Sequence, residues 1–134
     1  MITGLFHLHK TLGWVLLGST SVSVLLAIIG LLIGAKPGLV KAAAVLSRGL
    51  ETSLVGLMLL LGIGLWMGRF PVSIGYGWIG LVGVVVQMAL LAKGIKPNLI
   101  SLRDGAGSRG RWLGLAAAHW ALVLFVFTAM TARW

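Results

Sequence analysis

Two polar side chains that could do chemistry lie inside long apolar stretches of the sequence. His119 falls within residues 112–132, and Gln87 falls within residues 76–93. At the helical rise of about 1.5 Å per residue, each lies about 4 Å from the centre of its stretch, on the same side. Polar and ionisable groups at such depth are costly in a membrane and mark candidate functional sites.

Three interpretations of His119 are open. The first is a structural hydrogen bond to Gln87 on the neighbouring helix, worth about 0.6 to 2 kcal/mol. The second makes His119 an axial haem ligand, with Met58 or Met88 at similar depth as the opposite ligand. The third is a proton relay.

The remaining reactive residues do not form a catalytic pattern. Only two residues are acidic, Glu51 and Asp104, and there is no cysteine, which excludes thiolate metal sites and thiol catalysis. The spacing of Arg48 and Glu51 predicts a local ion pair at the inner end of the second helix. His7 and His9 would point to nearly opposite faces of a helix and are predicted to be interfacial anchors before the first helix. We therefore predict neither a catalytic nor a metal site, and these residues favour a chain that is not an enzyme without deciding the question.

Four apolar segments must position these side chains. The chain is 59% hydrophobic and 10% charged, far from the roughly 25% charged residues of soluble domains. Each segment is long enough to cross a bilayer as an α-helix. The sequence therefore predicts a single all-α domain, an integral membrane four-helix bundle with helices at about residues 11–34, 52–68, 76–93 and 112–132.

The basic residues predict the orientation of this bundle. Eight of the eleven Lys and Arg residues flank the first and third loops. This basic cluster consists of Lys36, Lys41, Arg48, Lys93, Lys96, Arg103, Arg109 and Arg111. The positive-inside rule places both loops in the cytoplasm and both termini outside, and we predict a bacterial inner-membrane protein. The cluster suits anionic lipid headgroups, and its interruption by apolar segments argues against nucleic acid.

Aromatic and small residues indicate how the helices meet the bilayer and one another. Trp14, Trp66, Phe70, Tyr76, Trp78 and Trp134 are expected near the outer boundary, and Trp112 near the inner one. The alternative is that some of these side chains pack between helices. Small residues recur on one face of three helices, where they allow close helix packing or face another subunit. These stripes are Ser19, Ser23, Ala27, Gly30 and Gly34; Gly49, Ser53, Gly56, Gly64 and Gly68; and Gly114, Ala118 and Ala121.

Two similar stretches suggest an internal repeat. Residues 34–40 read GAKPGLV and residues 94–100 read GIKPNLI. A duplicated helical hairpin would produce this similarity, with its halves related by an axis along the membrane normal. The alternative is that the two stretches are alike only because Gly, Lys and Pro are common at helix ends.

The stretch His9-Lys10-Thr11-Leu12-Gly13 resembles the start of a haem-bearing helix in bacterial di-haem membrane cytochromes b. The overall arrangement of four apolar helices is similar to that of small four-helix proteins of the copper-resistance D type and of membrane protoporphyrinogen oxidases. This resemblance implies that His9 would be a haem ligand. His9 and His119 are separated by roughly 24 Å along the membrane normal, so they would not hold one haem from both sides.

These patterns favour a small polytopic membrane protein that is a noncatalytic accessory or assembly component of a membrane redox complex. Its partners would be the lipid bilayer and other membrane subunits or further copies of the chain. The first alternative is a haem-binding or redox protein that uses His119 or His9. The second is a small oligomeric transporter or channel.

Overall fold

Four consecutive helices make up the chain in a computed structural model, which describes residues 2–34, 36–67 and 74–131. Helix 1 is Ile2–Ile33 and helix 4 is Arg109–Thr131. Helices 2 and 3 are continuous over residues 37–67 and 74–103. No strand occurs in the described parts of the chain.

Helices 2 and 3 each contain a π-helical turn. Helix 2 consists of Pro37–Val45, the π turn Leu46–Glu51 and Thr52–Met67. Helix 3 consists of Ile74–Ala89, the π turn Leu90–Ile95 and Lys96–Arg103. Both π turns lie towards the end of the bundle that carries the first and third loops.

The helices pack as a ring in which helices 1 and 3 each contact helices 2 and 4. All four are long and apolar enough to cross a membrane. Arg109 at the start of helix 4 donates a hydrogen bond to the carbonyl oxygen of Leu31, which places the first and third loops at one end. The predicted all-α four-helix membrane bundle is therefore confirmed.

Helices 1 and 2 begin well before their apolar stretches. Helix 1 begins at Ile2, so His7, His9 and Lys10 lie within it and not ahead of it. Helix 2 begins at Pro37, with Lys36 as its extended N-cap. Proline suits the first helical turn, where its missing N–H has no partner to lose. Hydropathy alone predicted the starts of helices 1 and 2 too late in the chain, because turns that contain basic residues or alanines belong to the same helices.

The two Lys-Pro stretches adopt different conformations. The first connects two helices: Gly34 has a φ of 102°, which favours glycine, and Pro37 begins helix 2. The second lies inside helix 3, where Gly94 belongs to the π turn and Pro97 follows it. A widened turn accommodates a proline that cannot donate a backbone hydrogen bond. These conformations do not support the predicted duplication.

Close contact between a small residue and a large one holds helix 4 against helices 1 and 3. A Cβ atom at Gly30 would collide with the Trp112 ring, and one at Gly83 would lie 2.6 Å from a methyl carbon of Val126. The Trp112 side chain is only 2% exposed. The Trp112 ring therefore packs between helices and fills the space that Gly30 leaves.

The other aromatic predictions have separate outcomes. Trp14 and Trp78 are 58% and 53% exposed, as side chains at a membrane boundary are. Trp66, Phe70, Tyr76 and Trp134 lie outside the residues whose side chains the structure describes.

The small-residue stripes face in different directions. On helix 1, Ser19, Ala27 and Gly30 are buried and Ser23 and Gly34 are half-buried, so this stripe packs inside the bundle. On helix 2, Gly49, Ser53 and Gly64 are exposed and Gly56 is half-buried; Gly68 lies outside the described residues. On helix 4, Gly114, Ala118 and Ala121 are exposed. The stripes of helices 2 and 4 therefore face away from the bundle.

Candidate functional site

Buried polar side chains from all four helices converge on one point inside the bundle. Glu51 of helix 2 and His119 of helix 4 are each 1% exposed, Gln87 of helix 3 is 3% exposed, and Ser19 of helix 1 is 6% exposed. Each lies near the middle of its helix. Four separate helices therefore contribute to one polar network, which contains Glu51, His119, Gln87, Ser19 and Ser23.

The Glu51 carboxyl group joins three helices. Its Oε1 atom accepts hydrogen bonds from the hydroxyl groups of Ser19 and Ser23, at 3.4 and 2.5 Å. Its Oε2 atom lies 3.6 Å from Nδ1 of His119. The serine hydroxyls hold one carboxyl oxygen, so the other oxygen faces the imidazole.

The second imidazole nitrogen of His119 completes the network. Nε2 lies 3.3 Å from Oε1 of Gln87, which is hydrogen-bonding distance. The structure thus brings together the two residues that the sequence singled out first. It also adds Glu51, which the apolar pattern placed at the inner end of helix 2 beside Arg48.

That earlier placement of Glu51 was wrong. Arg48 is exposed, whereas Glu51 is buried and its oxygens face helices 1 and 4. The π turn Leu46–Glu51 and the early start of helix 2 together turn Glu51 inward. The signal available in the sequence was the proline at position 37, because a helix that begins there carries Glu51 near its middle.

The geometry of the network limits which atoms of His119 and Glu51 can carry a proton. The Gln87 carbonyl oxygen can only accept, so Nε2 of His119 donates to it. Nδ1 then faces the Glu51 carboxyl group at 3.6 Å. A proton bound by this pair can lie on Glu51 as a neutral acid or on Nδ1 as an imidazolium, and the pair carries no net charge in either form.

The haem ligand set predicted around His119 does not fit this geometry. Both ring nitrogens face protein oxygens, so neither is open to an iron atom. Met88 is 42% exposed, and the half-buried Met58 lies near Gly13. A haem stays a prediction for this protein, and absorption spectra of the oxidised and dithionite-reduced protein would test it.

His9 occupies a different part of helix 1, about 15 Å along the helix axis from Ser19. Its Nδ1 atom is buried without a hydrogen-bond partner, and its ring lies beside Gly62 of helix 2. No three His, Asp or Glu side chains cluster as a metal site requires in the part of the chain that the structure describes. His9 therefore does not join the polar network.

Half of the predicted basic cluster lines a cleft between the loop-side halves of helices 2 and 3. This cleft has a volume of about 620 Å³ and is lined by Lys41, Arg48, Lys96 and Arg103, together with apolar side chains. Lys36, Lys93, Arg109 and Arg111 are exposed outside this lining. The cluster is thus divided between one concave site and the surrounding surface.

No family model matches the sequence, and no curated protein or solved structure matches it significantly. The resemblance to haem-associated membrane proteins therefore stays a prediction.

Proposed function

We propose that this small polytopic membrane protein binds and transfers a proton at Glu51 and His119, as part of a proton-coupled transporter or channel. One observation carries the proposal: a carboxyl group and an imidazole face each other at 3.6 Å inside a bundle of four membrane helices. Ionisable groups in such positions pair with one another and mark proton or ion pathways.

The surroundings of the pair favour proton binding over a purely structural role. Apolar groups of the same shape could fill the same space without the cost of burying ionisable groups. Transfer of the shared proton from Oε2 to Nδ1 turns a neutral pair into an ion pair, and the serine hydroxyls can stabilise the carboxylate. The pair therefore has two states that differ in the charges presented to four helices.

The π turn of helix 2 would provide a route for protons from one side of the membrane. Ser47, Arg48 and Gly49 of this turn line the cleft, and Glu51 is its last residue. Glu51 is four positions after Ser47, about 6 Å along a helix axis. π-Helical turns are frequent at functional sites. A proton that enters the cleft would thus have a short distance to travel to the carboxyl group.

Proton flux in vesicles tests this proposal. The purified protein would be reconstituted with an internal pH-sensitive dye, and a potassium gradient with valinomycin would drive protons inward. We expect faster acidification than in empty vesicles for the unaltered protein and for Asp104→Asn, which alters the only other acidic side chain, 61% exposed. We expect Glu51→Gln, which keeps the shape of the side chain, to reduce the rate to that of empty vesicles. Equal rates for Glu51→Gln and the unaltered protein would refute the proposal.

A second candidate function is that of an accessory or assembly component of a larger membrane complex. The observation that favours it is the outward-facing stripe of small residues on helix 2, where a Cβ atom at Gly49, Gly56 or Gly64 would meet no other atom. Small residues on an exposed membrane helix allow a further helix to approach closely. This role does not exclude proton transfer by the same chain.

Crosslinking tests the second candidate, because the chain has no native cysteine. We expect Ser53→Cys, in the centre of the exposed stripe, to form a disulfide-linked dimer with a second copy in oxidised native membranes. A control variant with its only cysteine at the exposed Phe125 position of helix 4 should stay monomeric. Equal crosslinking of both variants would indicate random collisions and contradict the interface.

A further inference from the structure

We propose that the cleft between helices 2 and 3 is a binding site for an anionic phospholipid. The site is separate from the polar network, and the proposal does not rest on proton transfer. Its occupant is inferred from the charge, depth and apolar lining of the cleft.

The positive charge of the cleft is arranged on two facing helices. Lys41 and Arg48 are seven residues apart on helix 2, and Lys96 and Arg103 are seven residues apart on helix 3. Seven residues are about two helical turns, so each pair lies on one face of its helix. No acidic residue is among the lining side chains. Arg103 lies 3.5 Å from the carboxylate of Asp104, which is outside the lining. The other three cations, Lys41, Arg48 and Lys96, face a lining without acidic side chains and suit an anionic group.

Depth along the helices places two of these cations at one level. Glu51 and Gln87 contact the same imidazole and so mark a common level in helices 2 and 3. From that level, Lys41 lies about 15 Å towards the loops and Lys96 about 14 Å. These lysines can hold one phosphate between them. Arg48 lies closer to the bilayer centre, and its long side chain can reach towards the same phosphate.

The remainder of the lining is apolar. Val40, Val45, Leu99 and Ile100 contribute to the same surface as the cations. A volume of about 620 Å³ is within the range of about 300–1,000 Å³ of sites that enclose small ligands. A free phosphate would leave these side chains uncovered, whereas a phospholipid places its glycerol and acyl carbons against them. Basic pockets between membrane helices are a recognised form of anionic lipid site.

Native mass spectrometry of the detergent-solubilised protein tests the proposal. The probes are dioleoyl phosphatidylglycerol, which is anionic, and dioleoyl phosphatidylcholine, which has the same acyl chains and no net charge. We expect the protein to retain the anionic lipid at concentrations at which the neutral lipid is absent. The double substitution Lys41→Gln/Lys96→Gln should weaken retention about 25-fold, because each basic residue near a lipid surface contributes roughly a factor of five.

A matched control separates the cleft from general surface charge. Lys36→Gln/Lys93→Gln removes the same charge from exposed lysines outside the cleft lining and should leave retention unchanged. Circular dichroism would verify that both variants remain helical. Equal loss in the two variants, or equal retention of the two lipids, would overturn the proposal. Displacement of the lipid by millimolar glycerol 3-phosphate would also overturn it, since the cleft would then select the phosphate alone.

Discussion

His119 has a polar neighbour at each ring nitrogen, so its side chain couples helix 4 to helices 2 and 3. A double-mutant cycle of Gln87→Leu and His119→Leu isolates one of these contacts. We expect a coupling energy of about 0.6 to 2 kcal/mol, the range of interhelical hydrogen bonds in membranes. The free energies of unfolding would be measured by reversible denaturation with sodium dodecyl sulfate in mixed micelles.

The control cycle combines Gln87→Leu with His7→Leu. His7 is an exposed histidine near the N-terminal end of helix 1. Substitutions at distant sites are additive within about 0.5 kcal/mol, so Gln87→Leu and His7→Leu should show no coupling. If the Gln87–His119 cycle were equally additive, the contact at Nε2 would make no measurable contribution to stability.

The sequence predicts the His119–Gln87 part of the polar network better than it predicts the position of Glu51. His119 and Gln87 interrupt apolar stretches, so their depth is readable and their proximity follows from antiparallel neighbours. Glu51 follows a stretch that contains Lys36, Lys41 and Arg48, which the positive-inside rule assigns to a loop. Its inward direction depends on the helical phase, which the π turn Leu46–Glu51 alters by widening one turn. A phase change of this kind has no clear signal in hydropathy.

At the scale of whole helices, the contact between Gly30 and Trp112 fixes the distance between helices 1 and 4. We expect Gly30→Ala to destabilise the protein by about 1–3 kcal/mol, because the added methyl group would overlap the buried indole ring. Thermal unfolding in detergent, followed by near-ultraviolet circular dichroism, would report both stability and the packing of the tryptophan.

Gly18→Ala is the matched substitution on the same helix. Gly18 is exposed, and a Cβ atom there meets no other atom within 4 Å. Alanine has a higher helix propensity than glycine by about 1 kcal/mol, so Gly18→Ala should be neutral or stabilising. A Gly30→Ala protein as stable as Gly18→Ala would show that helices 1 and 4 can separate at no cost.

Helix ends were harder to predict than helix centres for a physical reason. Apolar length reports where lipid surrounds a helix, whereas hydrogen bonding continues as long as the backbone remains helical. Helices 2 and 3 continue through Lys41 and Lys96 with exposed side chains, so their ends lie beyond the apolar stretches. The basic cleft exists because of these extensions, and the sequence therefore predicted the cations without predicting the concave site.

Over the whole molecule, the cleft and the polar network are parts of one structure. The π turn of helix 2 contributes Ser47, Arg48 and Gly49 to the cleft and Glu51 to the network. An anionic lipid held between Lys41 and Lys96 would place negative charge about 15 Å, nearly three helical turns, from the level of the Glu51–His119 pair. Negative charge at that distance favours the arrival of protons from the same side of the membrane.

Proton flux should therefore depend on the lipid composition of the vesicles. We expect the unaltered protein to conduct protons faster in vesicles that contain phosphatidylglycerol than in pure phosphatidylcholine vesicles, at equal protein content. Lys41→Gln/Lys96→Gln should lose most of this difference, whereas Lys36→Gln/Lys93→Gln should retain it. If flux through the unaltered protein were the same in both lipids, cleft and network would act independently. A third outcome is that proton flux requires Glu51 but depends on lipid composition to the same extent in both double variants. That result would indicate that bulk surface charge, and not the cleft, concentrates protons near the pair.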